Sequence, residues 1–155
     1  MIINSTRFGT IEADDDKIIT FDEGLPGFSS LREFLLIEGD YALTRREGVF
    51  WWLQSVEDAE VAFALLNVPA FMSGYNPNIS NETLNGLGDY ECAGDFLTLN
   101  IAVIPGDITR MRVNLRAPVV INSLTRKGRQ VIIQDGRYEV RHLVFDELRK
   151  LRQVV

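Results

Sequence analysis

The chain has 155 residues, of which 46% are hydrophobic and 25% charged, with one cysteine and one histidine. These are globular proportions, which exclude disordered, collagenous and coiled-coil classes. A single domain of this length buries enough surface to fold without a covalent or metal staple, and the lone Cys92 and lone His142 exclude an intrachain disulfide and a zinc site built from Cys and His. The net charge of −6 and a pI of about 4.8 argue against a general nucleic-acid binder. The charge is unevenly distributed. Residues 1–100 carry 17 acids and 5 bases, a net of −12, whereas residues 101–155 carry 5 acids and 11 bases, a net of +6. The opening MIINSTRFGTIEADDDK has no basic stretch ahead of an apolar run, so no secretion leader is expected. No apolar run approaches the roughly 20 residues of a membrane span. The expected compartment is the cytoplasm, and the three Asn-X-Ser/Thr sequons, at Asn4, Asn78 and Asn81, read as chance matches.

The periodicity is mostly two, the signature of strands. Ile2 to Phe8 reads as the first strand, Asp14-Asp15-Asp16 as a charged turn and Lys17 to Phe21 as the second strand. Gly24-Leu25-Pro26-Gly27 forces a turn. Ser30-Leu31-Arg32-Glu33 has a capping-box pattern that predicts one helical turn over Leu31, Phe34 and Leu35, running into a strand that ends near Glu38. Phe50 to Val56 and Val61 to Val68 are strands joined by an acidic turn, and Pro69 ends the second. The Asn78–Thr83 segment can cap a helical turn reaching Leu87. Leu97 to Val103 and Met111 to Arg116 alternate as half-buried strands. Pro118 bends the chain or places it at an edge before Val119 to Leu124. Gln130 to Gln134 and Arg137 to His142 flank Asp135-Gly136, a hairpin signal. Asp146 can cap a last helix with Leu148, Leu151 and Val155 on one side. The sum is a single all-β, mostly antiparallel domain spanning residues 1–155, β-barrel-like or a sandwich, with a few short helical turns.

No set of residues carries catalysis. Gly27-Phe28-Ser29-Ser30-Leu31 begins like a nucleophile elbow but lacks the closing glycine. His142 follows Tyr138 and Val140 on the apolar face of a strand and reads as structural. Cys92 has an acidic neighbour, Glu91, which disfavours a reactive thiolate. Asp14-Asp15-Asp16 lacks the glycine and distal glutamate of a calcium loop. No phosphate-cradling glycine motif is present, so no metal or cofactor is expected. Two charge patterns remain. Arg110, Arg112 and Arg116 share a predicted strand face with Asn114, and Arg137 and Arg141 line another. This stripe allows an alternative reading, a small RNA-binding barrel, although no aromatic side chains interleave for base stacking. The acids Glu57, Asp58, Glu60, Asp89, Glu91 and Asp95 fall in predicted loops, where they are candidates for steering a basic partner. Trp51-Trp52 puts one ring on each face of its strand, with core packing for both favoured over an exposed anchor.

Four motifs occur in order along the chain: Ile19-Thr20-Phe21-Asp22-Glu23-Gly24-Leu25-Pro26-Gly27-Phe28, Leu53-Gln54-Ser55, Asn114 to Asn122 (NLRAPVVIN), and Gly128-Arg129-Gln130-Val131-Ile132 followed by Tyr138 and Arg141. Together they resemble the bacterial flagellar assembly factor family, FliW. The Trp51-Trp52 pair is bulkier than that pattern, and residues 78–95 match no signature. The resemblance implies a small β-barrel-like cytoplasmic protein, not an enzyme, which binds newly made flagellin. It also implies binding to the RNA-binding translational repressor CsrA, with flagellin competing for the factor, and neither nucleic acid nor membrane as a direct partner. Among the motif residues, Gly24, Pro26, Gly27 and Pro118 read as backbone-geometry positions and Phe21, Phe28, Leu53 and Leu115 as core. Gln54, Asn114 and Asn122 read as polar strand residues that tie loops or an edge.

Overall fold

The computed structural model describes residues 1–39 and 41–153. Strands β1 (Ile2–Ser5) and β2 (Gly9–Glu12) form a separate antiparallel hairpin. The remaining strands are β3 (Ile18–Thr20), β4 (Glu33–Glu38), β5 (Phe50–Ser55), β6 (Ala62–Leu66), β7 (Phe96–Val103), β8 (Arg112–Val113), β9 (Val119–Asn122), β10 (Lys127–Gln130) and β11 (His142–Leu143). Helices are few: α1 (Tyr41–Thr44), α2 (Asn81–Gly86) and α3 (Phe145–Gln153). Strands pair in the order β7-β6-β5-β4-β3-β10-β9, and β9 returns to β7, closing a seven-stranded barrel. β8 and β11 extend the sheet beyond the ring. Closure depends on the length of β7. Residues 96–99 pair with β9, while Asn100 to Ala102 pair with β6.

One joint of the ring differs from the others. β10 lies parallel to β3, in register at Lys127 and Thr20, and the Thr20 N–H donates to the Arg126 carbonyl at 2.9 Å. Every other pairing is antiparallel. At this joint the Gly128 backbone lies against the Phe21 ring. A Cβ on Gly128 would come within 2.7 Å of Phe21 Cζ.

The alternating pattern of β5 and β6 is buried on both faces. Leu53 and Leu65 point into the barrel with Ile19, Phe21, Phe34, Leu99 and Ile121. Phe50, Ala64 and Leu66 point outward, where Val68, Tyr75, Met111, Val144 and Leu148 cover them. The two tryptophans follow this alternation. Trp51 packs on the barrel interior and Trp52 on the outer core, both half-buried. The Arg7 guanidinium lies 4.0 Å from the Trp52 ring centroid. The β1–β2 hairpin seats Ile3 against Ile18 and Leu35 on the outside of β3 and β4.

Several sequence expectations change. Ile2–Phe8 is not one strand, because Ser5 Oγ accepts the N–H groups of Arg7 and Phe8 and turns the chain into β2. The helical turn at Ser30–Leu35 is absent. The Glu57 carboxylate takes the N–H groups of Arg32 and Glu33, each at 3.1 Å, and holds that backbone extended. Asp135-Gly136 sits in a turn, with Arg137 N–H bonded to Asp135 Oδ1, but it does not join two mutually paired strands. Instead the Val131 and Ile133 N–H groups donate to Pro118 and Arg116, and the Glu139 carbonyl accepts from Leu115, so both arms pair in succession with one segment. Residues 130–134 and 137–142 are therefore not hairpin arms; the tight hairpin is β9–β10, whose turn carries Arg126 at φ +60°. Asp146 lies inside the first turn of α3 rather than capping it, and Val155 lies outside the described residues.

If the β3–β10 joint is as tight as this geometry, Gly128→Ala lowers stability by about 1–3 kcal/mol through overpacking. Adding Phe21→Leu should recover part of that loss. Urea unfolding of the single and double variants is the check, and additive losses would contradict the contact.

Candidate partner-binding surface

The Gly24–Phe28 motif builds a tight loop over one end of the barrel. Leu25 is 2% exposed and plugs the interior. Phe28 N–H donates to the Leu25 carbonyl at 2.7 Å, and Gly27 has φ +82° after Pro26, the arrangement of a type II turn. Gly24 has φ +65° and no room for a Cβ, which would lie 2.7 Å from Ser29 Cα. Phe28 is not core as expected. It is 38% exposed and stands edge-on to Phe63, with ring centroids 5.2 Å apart. Phe21, Leu53 and Leu115 are buried, and Pro118 is buried where its carbonyl accepts from Val131.

The three polar motif residues each organise a loop. Gln54 is fully buried. Its Oε1 accepts from Ser5 Oγ at 2.8 Å, and its Nε2 donates to the carbonyls of Ser55 and Val61, so it links the β1–β2 hairpin to the β5–β6 turn. Asn114 Oδ1 accepts the N–H groups of Arg116 and Ala117 and bends the chain ahead of Pro118. Asn122, also fully buried, donates from Nδ2 to the carbonyls of Leu87 and Asp89 and accepts at Oδ1 from Leu124 and Thr125. It thereby holds the loop after α2 against the β9–β10 turn. A fourth buried tie was invisible in the sequence. Tyr75 Oη donates to the Leu115 carbonyl at 2.7 Å and accepts from Asn100 Nδ2 at 2.9 Å, and burial pushes its hydroxyl pKa up to about 12. Asn100 shares a strand face with Thr98 and Ala102, and no local signal in the sequence marks that face as covered.

The six candidate acids divide into two groups. The carboxylates of Glu57, Asp58 and Asp95 accept backbone N–H groups, and those of Glu60, Asp89 and Glu91 do not. Glu57 binds the backbone ahead of β4, as described above. The Asp95 carboxylate accepts N–H groups from Glu91 at 2.8 Å and Cys92 at 3.1 Å, and these bonds hold its pKa below the ordinary 3.8. Asp58 Oδ1 accepts from the Glu60 N–H in its turn. Glu60, Asp89 and Glu91 are exposed, and no hydrogen bond or ion pair involves their carboxylates among the described residues. The two loops have different anchors, β4 for residues 57–60 and the β9–β10 turn, through Asn122, Asp95 and Ser123, for residues 89–95.

The basic stripe does not form one strand face. Arg110 belongs to a 3₁₀ turn over Ile108–Arg110, Arg112 to β8, and Arg116 to an irregular stretch where its Nε donates to the Tyr138 carbonyl. Arg137 is paired with Asp135, and this contact holds the Asp135 carboxyl below its usual range. His142 Nε2 lies 3.1 Å from Glu147 Oε1, half-buried between β11 and α3. Cys92 is exposed. Among the described residues no group of three or more His, Cys, Asp or Glu is arranged to hold a metal, and no helix is long and apolar enough to cross a membrane. The polar groups that define the surface thus act mainly on the geometry of its loops.

The molecule is thus a small closed barrel whose loops are fixed by buried amides. The FliW protein family model matches residues 2–144, and the chain belongs to the FliW family. It is 37% identical over 147 residues to the flagellar assembly factor FliW of Caldicellulosiruptor saccharolyticus, covering 95% of this chain and 92% of that one. It is 36% identical over 149 residues to the flagellar assembly factor FliW of Thermoanaerobacter pseudethanolicus, covering 96% of each. A solved structure described as the crystal structure of the flagellar assembly factor FliW superposes with a TM-score of 0.81 at 28% identity, covering 94% of this chain and 97% of that one.

Two outcomes follow from the ties. Asn122→Ala leaves buried carbonyls and N–H groups unpaired and should cost about 1–3 kcal/mol in urea unfolding. A neutral result would show that Asn122 does not hold the two loops together. For Asp95, a depressed pKa means that its contribution is complete above the ordinary carboxylate range and is lost as pH falls through its own lower midpoint. Carboxyl NMR titration should place that midpoint below the ordinary aspartate value of 3.8.

Proposed function

We propose that this chain is a flagellar assembly factor that works in the cytoplasm as a binding protein and not as an enzyme. It binds flagellin and also binds CsrA, lifting CsrA repression of flagellin synthesis. The observation that carries this reading is the family match over residues 2–144, with relatives named flagellar assembly factors across nearly their whole length. Two features of the molecule support it. The chemistry-bearing side chains are spent on loop geometry, and the exposed acids Glu60, Asp89 and Glu91 are uncommitted, available to a basic RNA-binding partner. The RNA-binding alternative has less support, because Arg116 and Arg137 are engaged within the chain and the stripe does not share a face.

The structure also sharpens the test. Neutralising Glu57 or Asp95 would loosen the backbone they hold, so a clean variant avoids both. Glu60→Gln/Asp89→Asn/Glu91→Gln should slow association with CsrA at low salt and flatten its salt dependence, with little change in dissociation. Rim charges act mainly on encounter, and exposed charges are screened beyond about 8–10 Å near physiological salt. Flagellin binding should change less. Stopped-flow association across a salt series is the measurement. An unchanged rate at low salt would remove these acids from the CsrA contact. RNA binding with a steep salt slope and no CsrA binding would favour the alternative.

A further inference from the structure

The chain from Arg129 to Asp135 leaves one edge unpaired. Val131 and Ile133 donate their N–H groups to Pro118 and Arg116, both at 2.8 Å. Backbone groups alternate in direction along an extended strand, so those of Gln130, Ile132 and Gln134 face the opposite way. Past Lys127, which pairs with Thr20, no strand among the described residues lies on that side. The N–H and carbonyl of Ile132 and of Gln134 have no hydrogen bond among the described residues, and Ile132 is 66% exposed. Natural proteins normally cover, twist away or charge such an edge. Here it is left open and uncharged at its centre.

The edge lies in a groove. On one side the groove runs between Arg129–Ile132 and the Gly24–Gly27 loop, with a volume of about 510 Å³. It continues between Val131–Asp135 and the α2 approach, Asn78 to Thr83, with a further volume of about 490 Å³. Thr83, Val131 and Ile132 line both parts. The charges at its ends are already matched, Arg129 with Glu23 at 3.5 Å and Asp135 with Arg137. The groove is therefore electrically balanced, lined by Leu25, Pro26, Val131 and Ile132 together with hydroxyl and amide groups.

We propose that this groove binds an uncharged extended peptide segment, which adds as a strand to the Gln130–Gln134 edge. The unpaired backbone groups specify the ligand as a peptide backbone, since strand addition supplies donors and acceptors at that alternation. The matched end charges specify an uncharged segment. A second copy of this chain is the competing occupant, and the test below distinguishes it. The inference rests on the proposed function and names which of its two partners takes the groove. A basic partner is drawn to the uncommitted acids, so the segment belongs to flagellin.

The test uses the full chain and purified flagellin. Amide hydrogen exchange at Ile132 and Gln134 should slow at least about tenfold in the flagellin complex, as expected for newly formed strand hydrogen bonds. Ile132→Pro removes an N–H that no internal ladder uses, and should weaken flagellin binding by about tenfold or more. Ile132→Thr keeps the N–H and should cost less than Ile132→Pro, and CsrA binding should tolerate both. If flagellin binds while these amides exchange as before, the groove proposal is overturned and the wider function stands. If wild type does not bind flagellin at all, the function fails and the proposal with it. Protection that grows with protein concentration in the absence of flagellin would mean a second copy occupies the edge, and would also overturn the proposal. Should Ile132→Pro not fold, the exchange measurement on wild type decides the matter.

Discussion

Everything in this molecule depends on closing a barrel with one parallel joint. Seven strands return on themselves only if β10 reaches β3, and that contact is narrow: a single register pair at Lys127 and Thr20, backed by the Phe21 ring on Gly128. Closure removes the edges of the ring itself. It also places the Gly24–Gly27 loop, which follows β3, beside the chain that leaves β10. The groove is a consequence of that placement. The ion pairs Asp22–Lys127 and Glu23–Arg129 cross the same joint, at 3.8 and 3.5 Å. They are exposed, and surface pairs contribute little to stability. The joint is held by packing and backbone hydrogen bonds.

The buried amides explain how a barrel this small presents ordered loops. Gln54, Asn122 and the Asn100–Tyr75 pair each satisfy backbone groups that would otherwise lie unpaired near the core. Their roles are local in space and remote in sequence. Asn122 holds residues more than 30 positions earlier, and Gln54 accepts from Ser5 across 49. The consequence for function lies in what these ties join. α2 forms one wall of the groove, and the loop that follows it carries Asp89 and Glu91. A flagellin segment in the groove and a basic partner on those acids would thus meet neighbouring parts of one rigid surface. Mutual exclusion between two partners then needs no change of fold.

The sequence was informative where the signal is local. The strands β5 and β6, the alternation of β7, the Pro26-Gly27 turn, a cap for α2 within Asn78–Thr83 and the terminal helix were all legible. It misled where long-range contacts overrule local pattern. The capping box at Ser30–Glu33 lost to the Glu57 carboxylate, a residue more than 20 positions away. Asp135-Gly136 turns the chain, but Pro118 and Arg116 had already claimed its first arm. Phe28 looked like core because aromatic residues usually are, and its exposure follows from Leu25 having taken the interior. The open edge at Ile132 could not be read at all, since a strand shows its partners only in three dimensions. Of the six candidate acids, the sequence could not separate Glu57, Asp58 and Asp95, which hold backbone, from Glu60, Asp89 and Glu91, which do not.

We propose that one surface of this barrel serves two protein partners in turn. It is tested most directly by forming the complex with CsrA, adding flagellin in increasing amounts, and following the composition by size-exclusion chromatography with light scattering. Flagellin should displace CsrA, with a stoichiometric flagellin complex replacing the first. A stable assembly containing all three proteins, or CsrA that stays bound at saturating flagellin, would contradict it.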